Sequence, residues 1–192
     1  MRGTLQVLKF SFILLAAGTF TLAACNRNPA VQAAREDQRA TPSATPAEQD
    51  FMIKSAHADL AEIEMARIAM QKSQNSDVKD FANMIQKDHT NALEDLADLM
   101  KDKGMSPPNT LTPEAKTDIE KMTALSGAEL DREFVNAMVA DHQKLIEMFR
   151  DRADIAKSPD VKKYAEDQLP GLEMHLEKAQ KLQSKLFGGG KP

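Results

Sequence analysis

Sliding the sequence past itself by 83 positions brings one half into register with the other. Phe51 then meets Phe134, Glu64-Met65 meets Glu147-Met148, Arg67 meets Arg150, and Asp77-Val78-Lys79 meets Asp160-Val161-Lys162. Phe81-Ala82 falls on Tyr164-Ala165, and Leu93-Glu94 on Leu176-Glu177. Matches this dense in a single register describe a duplicated unit. Within each unit apolar residues recur at spacings of three and four, the period of an amphipathic helix. Each half therefore reads as a helical hairpin, and more than twenty residues connect the two. Short hairpin turns with one long crossover are the connectivity of a ferritin-like four-helix bundle rather than of a simple up-down-up-down one. The expected fold is all-α, and a chain with no Trp, one Tyr and eight Gly agrees with it.

Start and stop signals divide the chain. Residues 1–24 read as an export signal, with Arg2 and Lys9 ahead of the apolar stretch Phe10 to Phe20 and a small-residue cleavage site at Leu22-Ala23-Ala24-Cys25. The apolar run is shorter than the ~20 residues a membrane span needs. Leu-Ala-Ala-Cys resembles the bacterial lipoprotein box, so Cys25, the one cysteine, is the expected lipidation site. By resemblance to enterobacterial lipoproteins, Asn26 rather than Asp after the cysteine favours the outer membrane over the inner. Residues 25–45 have no apolar period and read as a flexible tether. The bundle follows over 46–187, with long helices at 46–73, 77–103, 127–156 and 159–187, a short one at 113–123, and a tail at 188–192. Thr45-Pro46 with Glu48 forms a capping-box start, as does Ser126 with Glu129; Ser76 and Ser158 are expected caps, and Gly104 a terminator.

The predicted inner faces carry an anomaly. They are Ile53, Ala56, Leu60, Ile63 and Met70 on the first long helix; Phe81, Ile85, His89, Ala92 and Leu96 on the second; Phe134, Met138, His142, Leu145 and Phe149 on the third; and Val161, Ala165, Leu172, His175, Ala179 and Leu182 on the fourth. His57 sits between Ile53 and Leu60, so each of the four long helices carries one inward histidine. Two of them end near-copies, FANMIQKDH at 81–89 and FVNAMVADH at 134–142. Counted from the hairpin turns at ~1.5 Å per residue, all four histidines lie roughly 21–27 Å along their helices, near mid-bundle.

Imidazole suits zinc, copper, nickel and iron, and its second nitrogen normally finds a carboxylate or carbonyl. Asp88 and Asp141 each precede a histidine, about 100° away around the helix, and each is expected to serve a neighbouring helix. Glu64, seven residues after His57, is expected on the same inner face. The candidate metal set is thus His57, His89, His142, His175, Asp88, Asp141 and Glu64. A carboxylate-bridged di-iron site is disfavoured, because it needs Glu three residues before His on two helices and Lys54, Gln86, Val139 and Leu172 stand there. The competing reading is a metal-free His/Asp network that fixes helix register.

Weaker signals add little. Of eleven methionines, most fit core packing better than a copper site. Pro170 inside the fourth long helix should bend it. There is no nucleophile motif, phosphate-binding glycine loop or zinc cysteine pair. The formal net charge is −4, and loss of residues 1–24 removes two more cations, which argues against nucleic acid as a partner, since phosphate binding wants a basic stripe and the sequence shows none.

Phe81-Ala82 with Asp88-His89, Phe134 and Met138-Val139 with Asp141-His142, and Leu169-Pro170 with His175-Leu176 together resemble the bacterial family of domain of unknown function 4142, over about residues 48–186. That resemblance implies a ferritin-like bundle, usually exported and often assigned to the outer membrane. It implies no activity. The functional reading is a lipid-anchored envelope protein whose mid-bundle cluster binds a transition metal such as Zn, Cu or Fe, or serves an envelope stress role. A metal-free structural or protein-interaction module comes second and an enzyme third; the membrane, through the lipid, is the one partner expected.

Overall fold

The computed structural model describes residues 43–188, which form five helices and no strand: α1 (Pro46–Lys72), α2 (Ser76–Asp102), α3 (Pro113–Ala124), α4 (Gly127–Ile155) and α5 (Pro159–Phe187). The export signal, Cys25 and nearly all of the tether lie outside the described residues. Among the described residues no helix is long and apolar enough to cross a membrane.

The long helices pair as α1 with α2 and α4 with α5; α1 also packs on α4 and α2 on α5, while α3 packs on α1 and α4. Contacts at the helix ends fix the directions. Glu48, in the first turn of α1, accepts the backbone N–H groups of Lys157 and Ser158 at 2.8 Å each, at the turn from α4 to α5. Lys103, at the end of α2, places its covered Nζ 2.7 Å from Asp160 at the start of α5. At the other end, Lys185 pairs with Asp77. Each packed pair of long helices is therefore antiparallel. The near-copies consequently run the same way on opposite corners, so Phe81 meets Phe134 at 5.9 Å between ring centroids and His89 meets His142.

Several caps depart from the sequence expectation. The Thr45/Glu48 capping box forms in both directions, and Thr112 caps α3. At α2 the capping side chain belongs to Asn75, whose Oδ1 accepts from Asp77 and Val78, rather than to Ser76. Neither Ser126 nor Ser158 caps with its side chain. The Ser158 hydroxyl is buried and has no hydrogen-bond partner among the described residues, while Glu48 takes the N–H groups of Lys157 and Ser158 from outside the helix. Gly104 does end α2, at φ +74°, with Met105 N–H bonded to Met100 O and Gly104 N–H to Lys101 O, the paired closure of a Schellman motif.

The inner face of α1 differs most from the apolar pattern. Of the expected row only Ala56 is buried; Ile53 is 40% exposed, and Leu60, Ile63 and Met70 are partly covered. The buried row is instead Met52, Ala56, Asp59, Glu62, Ala66 and Ala69, itself at spacings of three and four. On the other three long helices the expected faces are the buried ones.

The apolar core is split in two. One part gathers Met65, Phe81, Ile85, Phe134, Met138 and Leu182; the other gathers Phe51, Leu96, Met100, Phe149, Tyr164 and Leu172. Along each long helix the change from one part to the other spans a polar residue: between Ala56 and Met65 on α1, Ile85 and Leu96 on α2, Met138 and Leu145 on α4, Leu172 and Ala179 on α5. A polar layer about one to two turns thick crosses the middle of the protein.

Candidate metal centre

His89, His142 and His175, from α2, α4 and α5, project into this layer from three helices and are 3%, 0% and 2% exposed. Asp59 and Glu62 enter it from α1, also buried. Each imidazole has one nitrogen turned outward onto a protein acceptor. His89 Nδ1 lies 2.8 Å from Asp59 Oδ1, His142 Nδ1 lies 3.0 Å from the Met138 carbonyl, and His175 Nε2 lies 2.9 Å from Asp88 Oδ2. Carbonyl and carboxylate oxygens only accept, so these contacts assign the proton of each ring to its outer nitrogen.

The inner nitrogens then converge: those of His142 and His175 are lone pairs, while His89 Nε2 also faces the Glu62 carboxylate and offers a lone pair once the ring is neutral. His89 Nε2 and His142 Nε2 are 3.4 Å apart, and His142 Nε2 and His175 Nδ1 are 3.2 Å apart. Three ligand atoms, one per ring, fall within 4.8 Å of one another. A tetrahedral ion with nitrogen ligands at about 2.0–2.1 Å would space them about 3.3–3.4 Å apart. Glu62 lies beside the rings: Oε2 is 2.9 Å from His89 Nε2, and Oε1 is 3.4 Å from His142 Nδ1, the outer nitrogen of that ring. Neither Glu62 oxygen has the alignment of a hydrogen bond with any group among the described residues. A fully buried carboxylate without a bonded partner is costly. Asp59, Glu62 and His89 form a second triad of ligand atoms within 4.8 Å of one another, so two donor sets share His89, and first-row transition ions accept both imidazole and carboxylate.

The electrostatics show the same strain. Burial lifts Asp59 to about 6 against the pull of His89. Burial also disfavours charge on Glu62, but the attraction of His89 and then His142 prevails and holds it below the usual carboxylate range. Burial works against a proton on His89, yet Glu62 and Asp59 outweigh it and raise the ring well above ordinary histidine. His142 is lowered by burial, and burial holds His175 near 4 despite Asp88. One imidazolium between two carboxylates leaves two neutral rings with lone pairs facing each other, and no proton to share along the 3.2 Å line between them.

Of the seven residues expected from sequence, His89, His142 and His175 come together, and Asp88 serves a neighbouring helix by holding His175. Three stand apart. His57 is two residues from Asp59, about 200° around α1, half-buried and outside the cluster, with Nδ1 unpartnered among the described residues. Glu64 turns away from the layer to pair with Arg67 at 2.5 Å. Asp141 bonds Lys144 on its own helix at 3.2 Å rather than a ring on another. Asp59 and Glu62 were missed because the apolar row placed them outside the core. The 83-residue register did hold a signal: position 59 is the copy of position 142, so Asp59 occupies the place of a cluster histidine.

Three solved structures share the fold. A DUF305 fragment from Deinococcus radiodurans is 19% identical with a TM-score of 0.67, covering 75% of this chain and 99% of its own. A DUF305 protein from Streptomyces coelicolor, described as secreted, is 13% identical with a TM-score of 0.64, covering 73% and 92%. CopM in the Cu(I)-bound form is 17% identical with a TM-score of 0.61, covering 74% and 98%. Among curated proteins none matches. Residues 33–182, which hold every residue of the polar layer, match the model of DUF4142, a domain of unknown function, and the chain belongs to that family.

Proposed function

We propose that this chain is a ferritin-like four-helix bundle that binds one transition-metal ion through His89 Nε2, His142 Nε2 and His175 Nδ1, with Glu62 beside them as carboxylate ligand. The observation that carries the reading is the orientation of the three rings: each outer nitrogen is held by a protein acceptor and each inner one points into the cluster, where a metal ion would take the place of the His89 proton. Outer partners of this kind fix ring and tautomer in metal sites. Asp59 and Glu62 carry two buried negative charges, so a divalent ion bound by neutral rings balances them, and zinc, copper(II) and iron(II) all suit the donors. Copper bound to CopM, a protein of the same fold, is in keeping with a metal here.

The setting is the bacterial envelope. The export signal, the lipoprotein box at Cys25 and the secreted Streptomyces coelicolor protein of the same fold support an exported chain, held by lipid at the outer membrane. An envelope stress role fits that setting.

Elemental analysis of untagged residues 26–192, beside the His89→Ala/His142→Ala double variant, tests the site. The expected result is about one ion per chain, lost in the variant. No ion after incubation with zinc, copper or iron sinks the metal reading. In that case the raised His89, an imidazolium between Asp59 and Glu62, supports the second reading of a structural polar layer.

A further inference from the structure

Two openings reach the polar layer from solvent, and they differ in charge. Between α2 and α5 lies a cavity of about 220 Å³ that reaches His89 and His175, with Asp59 at its floor and Asp88 and Asp95 among its walls. Asp59 is 6% exposed, and its Oδ2 has no hydrogen-bond partner among the described residues. No lysine or arginine lines this cavity. Between α1 and α4 a second opening, of about 280 Å³, reaches Glu62 but carries Lys54 and Lys144. A water takes about 30 Å³, so either opening admits an ion with part of its hydration shell. Only the first attracts a cation throughout.

Gly171 stands in the wall of the acidic cavity, inside α5 and directly after Pro170. Glycine in a helix interior is unfavourable. A Cβ added there would meet nothing within 4 Å, so the missing side chain leaves open space rather than allowing a close approach.

Building on the metal reading above, we propose that the cavity between α2 and α5 is the entry route for a hydrated divalent cation. Asp88 and Asp95 draw the ion in, the free oxygen of Asp59 receives it at the floor, and Gly171 keeps the passage wide. A cleft lined by one sign of charge raises the local concentration and on-rate of the opposite ion, and salt weakens the effect. The same asymmetry selects against anions.

The sole tyrosine, Tyr164, lines the cavity in a chain without tryptophan, so its emission reports on an ion inside. Stopped-flow quenching by Cu²⁺, with elemental analysis of the end point, measures rate and stoichiometry separately. Gly171→Leu fills the passage and is expected to slow uptake several-fold with the final stoichiometry unchanged. Asp95→Asn, which touches none of the three rings, slows it less and flattens its salt dependence. Ala58→Leu, which fills the opposite opening, leaves the rate as it was. Wild-type uptake rates in both Gly171→Leu and Asp95→Asn overturn the route while the metal centre stands; slowing by Ala58→Leu alone moves entry to the α1/α4 face and overturns it too. Absence of any bound ion in the unmodified chain overturns the centre itself, and the route with it.

Discussion

Helices α1 and α2 form one hairpin and are of equal length, yet they are buried on different principles. The buried face of α2 is Val78, Phe81, Ala82, Ile85, His89, Ala92, Leu96 and Met100, apolar but for one ring. The buried face of α1 includes Glu48, Ser55, Asp59 and Glu62, while Ile53 looks outward and Leu60 and Ile63 are only partly covered. A helix like α2 is held by area removed from water. A helix like α1 needs partners for each polar group it buries, and small residues, Ala56, Ala66 and Ala69, each fully buried, stand beside those groups on the same face. The difference shows that α1 supplies the charge of the central layer and the other three long helices supply its rings.

The comparison breaks first at Glu62. In chelator-treated protein Glu62→Ala leaves the His89 imidazolium short of one of its two carboxylates, and removing one partner of a buried pair costs about 3–5 kcal/mol. Urea denaturation should show that loss, whereas Glu64→Ala, on the exposed side of the same helix, should cost at most about 1 kcal/mol. Adding Zn²⁺ should stabilise the parent, by about 4 kcal/mol at a thousand times Kd, and the Glu62→Ala variant much less. Equal, small losses at Glu62 and Glu64 would mean that α1 is held like α2, by area alone.

Glu48 sharpens the contrast within α1. Burial raises its carboxyl, but the N–H groups of Ser158, Thr45 and Lys157 and the Thr45 hydroxyl prevail and hold it at about 2, while Asp59 on the same face is lifted to about 6. A depressed carboxylate stabilises the fold above its unfolded value and loses that contribution as pH falls through the folded one. Glu48 should therefore contribute up to about 3 kcal/mol at neutral pH, fading between about pH 4.5 and 2. Glu48→Gln should lower stability at pH 7 and flatten its dependence across that acid range. An unchanged acid limb would place the anchoring of α1 elsewhere.

Most of the architecture was legible because the apolar period of α2, α4 and α5 is intact. The near-copies even carried the geometry of the diagonal, since Phe81 with Phe134 and His89 with His142 meet at matching levels. What could not be read from period alone was α1. Asp59 and Glu62 take inward positions, so counting apolar residues rotated the helix and put Ile53 inside. His57 followed that rotated face and was assigned to the cluster it does not reach. Glu64 was drawn in the same way. Asp88 and Asp141 looked equivalent in sequence, and only the position of α5 beside α2 gives Asp88 a ring to hold while Asp141 turns to Lys144. Polar residues at a core layer are invisible to hydropathy for the same reason that they are informative once placed.

The smallest expected effect tests that rotation most directly. Met52 and Ile53 are neighbours, about 100° apart around α1, the first 0% and the second 40% exposed. If the rotated face were correct, a charge at Ile53 would be buried and ruinous. With the polar face inward, Ile53→Lys puts an ammonium at the surface beside Asp50, in a stretch where Lys54 already pairs with that carboxylate at 2.7 Å. The cost should stay within about 0.5 kcal/mol, as for surface changes in general. Met52→Lys, one position earlier, should lose several times that, because an ammonium there has no water and no described partner. Chemical denaturation of the two variants side by side gives the answer as a ratio rather than an absolute value. A ratio near one would return Ile53 to the core and take Asp59 and Glu62 out of the central layer, whereas a large ratio fixes α1 with its carboxylates facing the three rings.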